Sequence, residues 1–169
     1  MITKPQAGQY PVYYQKYLDL LVQPFLETAL SETGNHTMEF FASLDPSKHD
    51  LAYAEDKWNP KEVLAHIIDT ERILSYRALC IARKDPSEFP GFDENLYASH
   101  SNAKNRRMEA LLEEFETVRL STLHLFRSFT PEMIEQTGIA NKNKVSVNAI
   151  GWFAAGHGYH HCCIVAERY

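Results

Sequence analysis

His157-Gly-Tyr-His160-His161 sets three imidazoles within five residues and offers both i, i+3 and i, i+4 pairs. On a helix either spacing can bring two rings onto one metal ion. At about 100° per residue, with His157 taken as zero, Val147, Ile150, Phe153, Ala154, Ile164 and Val165 average roughly +30°. His157 and His161, at about 0° and +40°, straddle that apolar direction. His160, at about −60°, lies at its margin as a solvent-facing or supporting residue. The inward pair is therefore His157 and His161.

A third imidazole comes from a distant segment. With His66 as zero, Val63, Thr70, Ile73, Leu74 and Ile81 fall within about 80° of it, so His66 also points toward a core. Two readings stay open: separately hydrogen-bonded core histidines, or three rings that share one cation because so much buried polarity needs a partner. Three imidazoles without a fourth protein ligand would leave a position for water, the arrangement of catalytic rather than structural zinc. The cysteines, Cys80 and the adjacent Cys162 and Cys163, form no C-x-x-C spacing and fit a reducing compartment as packing residues. Any metal here must be held by imidazole or carboxylate.

Charges also fall on inward faces. Arg119 lies near the centre of an apolar face, about 20° from Met108, and Arg77 projects within about 20° of His66 further along the same segment. Each can form a buried ion pair with a carboxylate such as Asp69 or Glu71. Alternatively one arginine anchors an anionic substrate group beside a metal. Asp69, one turn from His66, is a candidate to orient its second ring nitrogen or accept a proton. Tyr97 and Trp58 are candidates to line the pocket, with core packing also open to Trp58.

These groups must be positioned by helices. Leu and Ala number 32 against 16 for Val and Ile, a composition that favours helix over sheet. Tyr13 to Leu21 reads as a short helix, and Pro24 opens a longer one through Leu44, stopped by Asp45-Pro46. Asn59, Pro60 and Glu62 form a capping arrangement for a helix running to about Arg83. The stretch from Lys84 to Ala103 reads as a loop that shapes the pocket. Met108, Leu111, Leu112, Phe115, Thr122, Leu123 and Phe126 mark a third long helix. Thr130-Pro131 begins a short turn of helix closed by Gly138, Asn141 to Lys144 is a polar turn, and Ser146 caps a last helix reaching nearly to Tyr169. The expected fold is all-α: a four-helix bundle over residues 1–169 as one domain, with short extra helices at the amino terminus and before the last helix. Leu64, Ile68 and Leu79 form a second apolar stripe opposite His66, to be covered by the first long helix or by a second subunit.

At 169 residues the chain is long enough for one packed core. No apolar stretch approaches the ~20 residues that span a bilayer. Its formal charge of −5 has the wrong sign for binding nucleic acid phosphates in bulk. Met1 to Gln9 lacks the features of a secretory or transit segment, so a cytoplasmic location is the expectation.

The sequence resembles the DinB-like (YfiT-like) superfamily of metal-dependent enzymes along nearly its whole length. Lys57-Trp58-Asn-Pro-Lys-Glu62-Val-Leu-Ala-His66, Asp69-Thr-Glu71-Arg72 with Tyr76-Arg77, and Phe89-Pro-Gly-Phe-Asp93 carry the resemblance. Glu114-Phe115, Arg119, the His157 to His161 motif and Glu167-Arg168-Tyr169 extend it. The resemblance implies a four-helix bundle, commonly a homodimer, that holds divalent zinc or nickel through His66, His157 and His161. It implies small-molecule chemistry: S-transfer with a low-molecular-weight thiol such as bacillithiol or mycothiol, or hydrolysis. A non-catalytic, stress-related binding or dimerisation module is the competing reading from another class. One departure stands out: the residue after the first histidine of the last helix is often acidic in this family, and here it is Gly158. That disfavours a protease-like general base at this position, and with Gly151 and Gly156 it points to close helix approach.

Overall fold

The computed structural model describes residues 1–169. Four long helices form the bundle: α2 (Leu26–Ser43), α3 (Pro60–Ala82), α5 (Met108–Arg127) and α7 (Val147–Arg168). Three short helices, α1 (Gln15–Leu18), α4 (Glu94–His100) and α6 (Pro131–Ile134), lie outside it. The amino-terminal helix is shorter than its sequence suggests, a 3-10 turn at Val12–Tyr14 running into α1.

Local chemistry fixes where the helices begin. Asn59 Oδ1 accepts from the Glu62 amide at 2.9 Å while Glu62 Oε2 accepts from the Asn59 amide at 3.0 Å, and Pro60 occupies the first helical position. Ser146 Oγ accepts from the Ala149 amide to open α7. No side chain caps α2. Its Leu26 amide donates instead to the Ile2 carbonyl at 2.8 Å, so the amino-terminal strand of chain closes that end.

Helices adjacent in sequence are not all adjacent in space. The chief neighbours of α2 are α7 and α5, and α3 packs on the same two, so α2 and α3 stand diagonally across the bundle. The second apolar stripe of α3 is accordingly covered within the chain, and not by the first long helix: Leu64 and Ile68 are buried in one cluster with Leu111 and Phe115 of α5. Leu79, at the far end of that stripe, remains 38% exposed.

Every residue from 145 to 158 is buried, which makes the first half of α7 the most enclosed element of the molecule. Small residues permit it. A Cβ on Gly156 would lie 2.5 Å from the Tyr17 carbonyl oxygen, and one on Gly151 would lie 2.6 Å from both Leu26 and Phe126. The apolar interior is divided into a cluster around Leu26, Leu30, Ile150 and Trp152 and another around Phe41, Ile67, Leu111 and Phe115.

A small sheet departs from the all-helical expectation without displacing the bundle. β1 (Glu88–Phe89) runs parallel to β2 (Thr137–Ala140), which pairs antiparallel with β3 (Asn143–Ser146). The polar turn at Asn141 is the tip of that hairpin, with φ of 49° at Asn141 and 63° at Lys142, the double left-handed conformation of a tight β-turn. Gly138 does not close α6; it lies in β2, where a Cβ would meet Ile81 at 2.7 Å. The segment from Lys84 to Ala103 is likewise more ordered than a loop. It supplies β1 and α4, with Asp93 Oδ1 capping α4 at the amides of Asn95 and Leu96. No helix is long and apolar enough to cross a membrane.

Candidate metal centre

The first turns of α3 and the middle of α7 bring His66, His157 and His161 together. His66 Nε2 and His157 Nε2 are 3.2 Å apart, as are His161 Nε2 and His157 Nε2, and one ring nitrogen from each lies within 4.8 Å of the others. Two nitrogens bound tetrahedrally to one zinc ion, each at about 2.05 Å, would be roughly 3.3 Å apart. The two 3.2 Å separations match that spacing, with His157 common to both. Burial keeps the rings neutral: it lowers the pKa of His66 to about 4 and of His161 to about 3, and holds that of the enclosed His157 well below the ordinary value. A neutral Nε2 carries at most one proton. His157 Nε2 faces two other such atoms, so protons alone satisfy this cluster poorly, while a cation would meet three converging lone pairs.

His160 stands apart, half-buried with its ring 4.9 Å from that of Tyr17. Trp58 closes one side of the cluster, its ring 4.8 Å from His66, and Phe153 another, 5.4 Å from His157. Gly158 gives the close approach its type suggests: a Cβ there would lie 3.2 Å from Thr37 Oγ1. No carboxylate belongs to the cluster.

The two inward arginines have different fates. Arg119 donates through Nε and Nη2 to the two carboxylate oxygens of Glu71, each at 2.8 Å, and through Nη1 to the Leu30 carbonyl at 2.7 Å. Both partners are buried, so Arg119 is a satisfied ion pair between α5 and α3 with no donor left for a substrate. Arg77 is also buried, yet it has no carboxylate partner; its Nη2 donates to the Pro90 carbonyl at 2.6 Å. Burial pulls its pKa downward.

Asp69 does not orient His66. It belongs to a surface cluster, 3.9 Å from Arg72 Nη1, the same atom that pairs with Glu114 at 2.6 Å, and Glu114 in turn pairs with Arg106; desolvation raises the Asp69 pKa there. At −60° from His66 on the helix, Asp69 turns toward α5 and away from the rings. Tyr97 is exposed and packs edge-on against Phe92, which itself takes the cavity position assigned to tyrosine.

Two cavities touch the histidines. One of about 190 Å³ reaches His157 and is lined by Tyr14, Tyr17, Thr70, Arg77 and Phe92. The other, about 210 Å³, reaches His161 between Lys57, Trp58, Tyr53 and Tyr169. The first turn of α4 borders both, Glu94 on the first and Asn95 on the second. Thr70 was readable as an inward residue but carries no chemical signal by itself, and nothing in the spacing of Tyr14 or Tyr17 announces a pocket.

Residues 29–165 match the DinB superfamily. Among solved structures the fold is similar to that of YfiT from Bacillus subtilis, described as a probable metal-dependent hydrolase with an unusual four-helix bundle topology. That likeness has a TM-score of 0.71 at 16% identity, over 97% of this chain and 90% of the other. It is also similar to the mycothiol-dependent maleylpyruvate isomerase, with a TM-score of 0.68 at 11% identity over 91% of this chain. This chain spans 60% of the isomerase's length. No curated protein gives a significant match to the sequence.

Proposed function

The chain belongs to the DinB superfamily, and from that membership and the geometry above we propose that it is a divalent-metal-dependent enzyme acting on small molecules, with His66, His157 and His161 as the metal ligands. The observation that carries this reading is the convergence of three Nε2 atoms, two from buried rings and one from the half-buried His161, at 3.2 Å contacts, open on two sides to cavities. A bound zinc or nickel ion would act as a Lewis acid that lowers the pKa of a water or thiol.

The finer assignment is S-transfer from a low-molecular-weight thiol. Two separate cavities suit two substrates, a thiol on the His161 side and an electrophile on the His157 side. In such a transfer the sulfur bonds to the electrophilic carbon, the leaving group departs with its electron pair, and the thiol proton passes to solvent. Hydrolysis would be helped by a carboxylate base beside the ligands, and none stands in the cluster. The surroundings of the ligands have clear tasks. Trp58 and Phe153 fix the ring planes and exclude water, and the Arg119–Glu71 pair ties α5 to α3 and, through Arg119 Nη2 and the Ala154 carbonyl, to α7 one turn before His157. We assign the protein to a homodimer on the family resemblance, and to the cytoplasm on a cysteine pattern that fits a reducing compartment.

Metal analysis of the purified protein beside His66→Ala, His157→Ala, His161→Ala and His160→Ala tests the site. Near-stoichiometric metal is expected in the wild type and in His160→Ala and should be lost from the other three, together with thiol conjugation of a model electrophile. A wild type that takes up no zinc or nickel on reconstitution would return the histidines to core residues and favour a binding module. Metal with hydrolysis but no conjugation would replace the thiol by water.

A further inference from the structure

Arg77 is a buried guanidinium for which the chain provides no counter-ion. It is 8% exposed, forms no ion pair, and its one hydrogen bond, to the Pro90 carbonyl, occupies only Nη2. The contrast with Arg119 is internal to the same bundle: that arginine, 4% exposed, is matched by both oxygens of Glu71, two carbonyls and a threonine hydroxyl. A buried charge without a partner is costly, and removing it from water is offset only by an anion with good geometry.

A second observation falls in the same cavity. Thr70, 5% exposed, has a hydroxyl with no hydrogen-bond partner, and it lies on the α3 face between His66 and Arg77, one turn from the first and two from the second. A donor and a cation that are both unsatisfied, in one cavity that ends at His157, call for a ligand with acceptor oxygens. The rest of the lining describes the ligand's body. Tyr14, Tyr17, Phe92 and Phe153 present ring surfaces, and about 190 Å³ accommodates one ring and a small substituent, given that a cavity of roughly 150 Å³ holds benzene. Glu94, exposed at the rim, would repel a second anionic group.

We propose that this cavity binds a small, flat monocarboxylate, with its carboxylate on Arg77 and Thr70 and its opposite end directed to His157. That the carboxylate is the electrophilic substrate rests on the metalloenzyme reading; that it binds does not.

Isothermal titration calorimetry with benzoate and benzamide as probes separates the two. Wild-type protein as isolated should bind benzoate at least tenfold more tightly than benzamide. Arg77→Gln should lose at least tenfold in benzoate affinity, Arg77→Lys should recover part of it, and Thr70→Val should lose a few-fold. His161→Ala, which removes a ligand nitrogen outside this cavity, should bind benzoate within about threefold of wild type. Equal affinity for benzoate and benzamide in the wild type, which needs no variant to fold, would overturn the proposal. So would benzoate binding that survives Arg77→Gln but vanishes in His161→Ala, because the carboxylate would then sit on the metal; that result would leave the metal reading intact. Benzoate binding that depends on Arg77 in a protein that takes up no metal would keep this site and remove the metalloenzyme.

Discussion

The buried pair of Arg119 and Glu71 is where a single side chain matters most to stability. Glu71→Ala would leave a guanidinium with two unmatched donors inside the bundle, and such uncompensated charges cost about 3 to 5 kcal/mol. Urea unfolding should show that loss, and Glu71→Leu combined with Arg119→Met should recover much of it, since removing both charges removes the unpaired group. The same reasoning explains which residues of the site were readable from the sequence. Angular spacing alone brings His66, His157 and His161 to one interior, because helix geometry is rigid enough to project direction from position. It could not distribute the carboxylates. Asp69 and Glu71 are two residues apart on one helix, and only the placement of α5 decides that Glu71 meets Arg119, while Asp69 keeps its own-helix neighbour Arg72 and Arg77 meets neither carboxylate.

Among the elements, α7 is the most constrained. Gly156→Ala would gain about 1 kcal/mol of helix propensity but place a Cβ against the Tyr17 carbonyl, a backbone atom that cannot swing aside. The net expectation is destabilisation by about 1 to 3 kcal/mol, read from the denaturation midpoint, with displacement of α1 from the bundle. All four long helices were legible, their starts best where capping residues are strong, as at Asn59 and Ser146. The start of α2 was less so, because it is closed by the Ile2 carbonyl, a contact across sequence that no local pattern announces. The hairpin was missed for a similar reason. β2 and β3 have four residues each, too few to show alternation, and their turn is Asn-Lys where Asn-Gly would have signalled it.

For the molecule as a whole, the three imidazoles make stability depend on acidity. Their folded-state pKa values, about 4 for His66 and about 3 for His161, lie below the 6.5 expected when unfolded, so the unfolded chain binds more protons between these limits. Stability should be fully present above about pH 6.5 and fall as the pH drops toward 4, by a few kcal/mol in thermal or urea unfolding. A bound metal would shift the loss lower without changing its sign, because it too competes with protons. The diagonal placement of α2 and α3 has a further consequence, for biosynthesis. α2 waits for α7, which emerges last of the four long helices, so among its long-helix neighbours Leu26 and Leu30 have only α5 for cover until then. At synthesis rates of about 5 to 20 residues per second, the half-made bundle spends seconds with that apolar seam open to chaperones or to aggregation. Of the three clustered imidazoles only His66 exists during that interval, so a metal ion at that cluster could not template the nascent fold and could only lock it after α7 has docked.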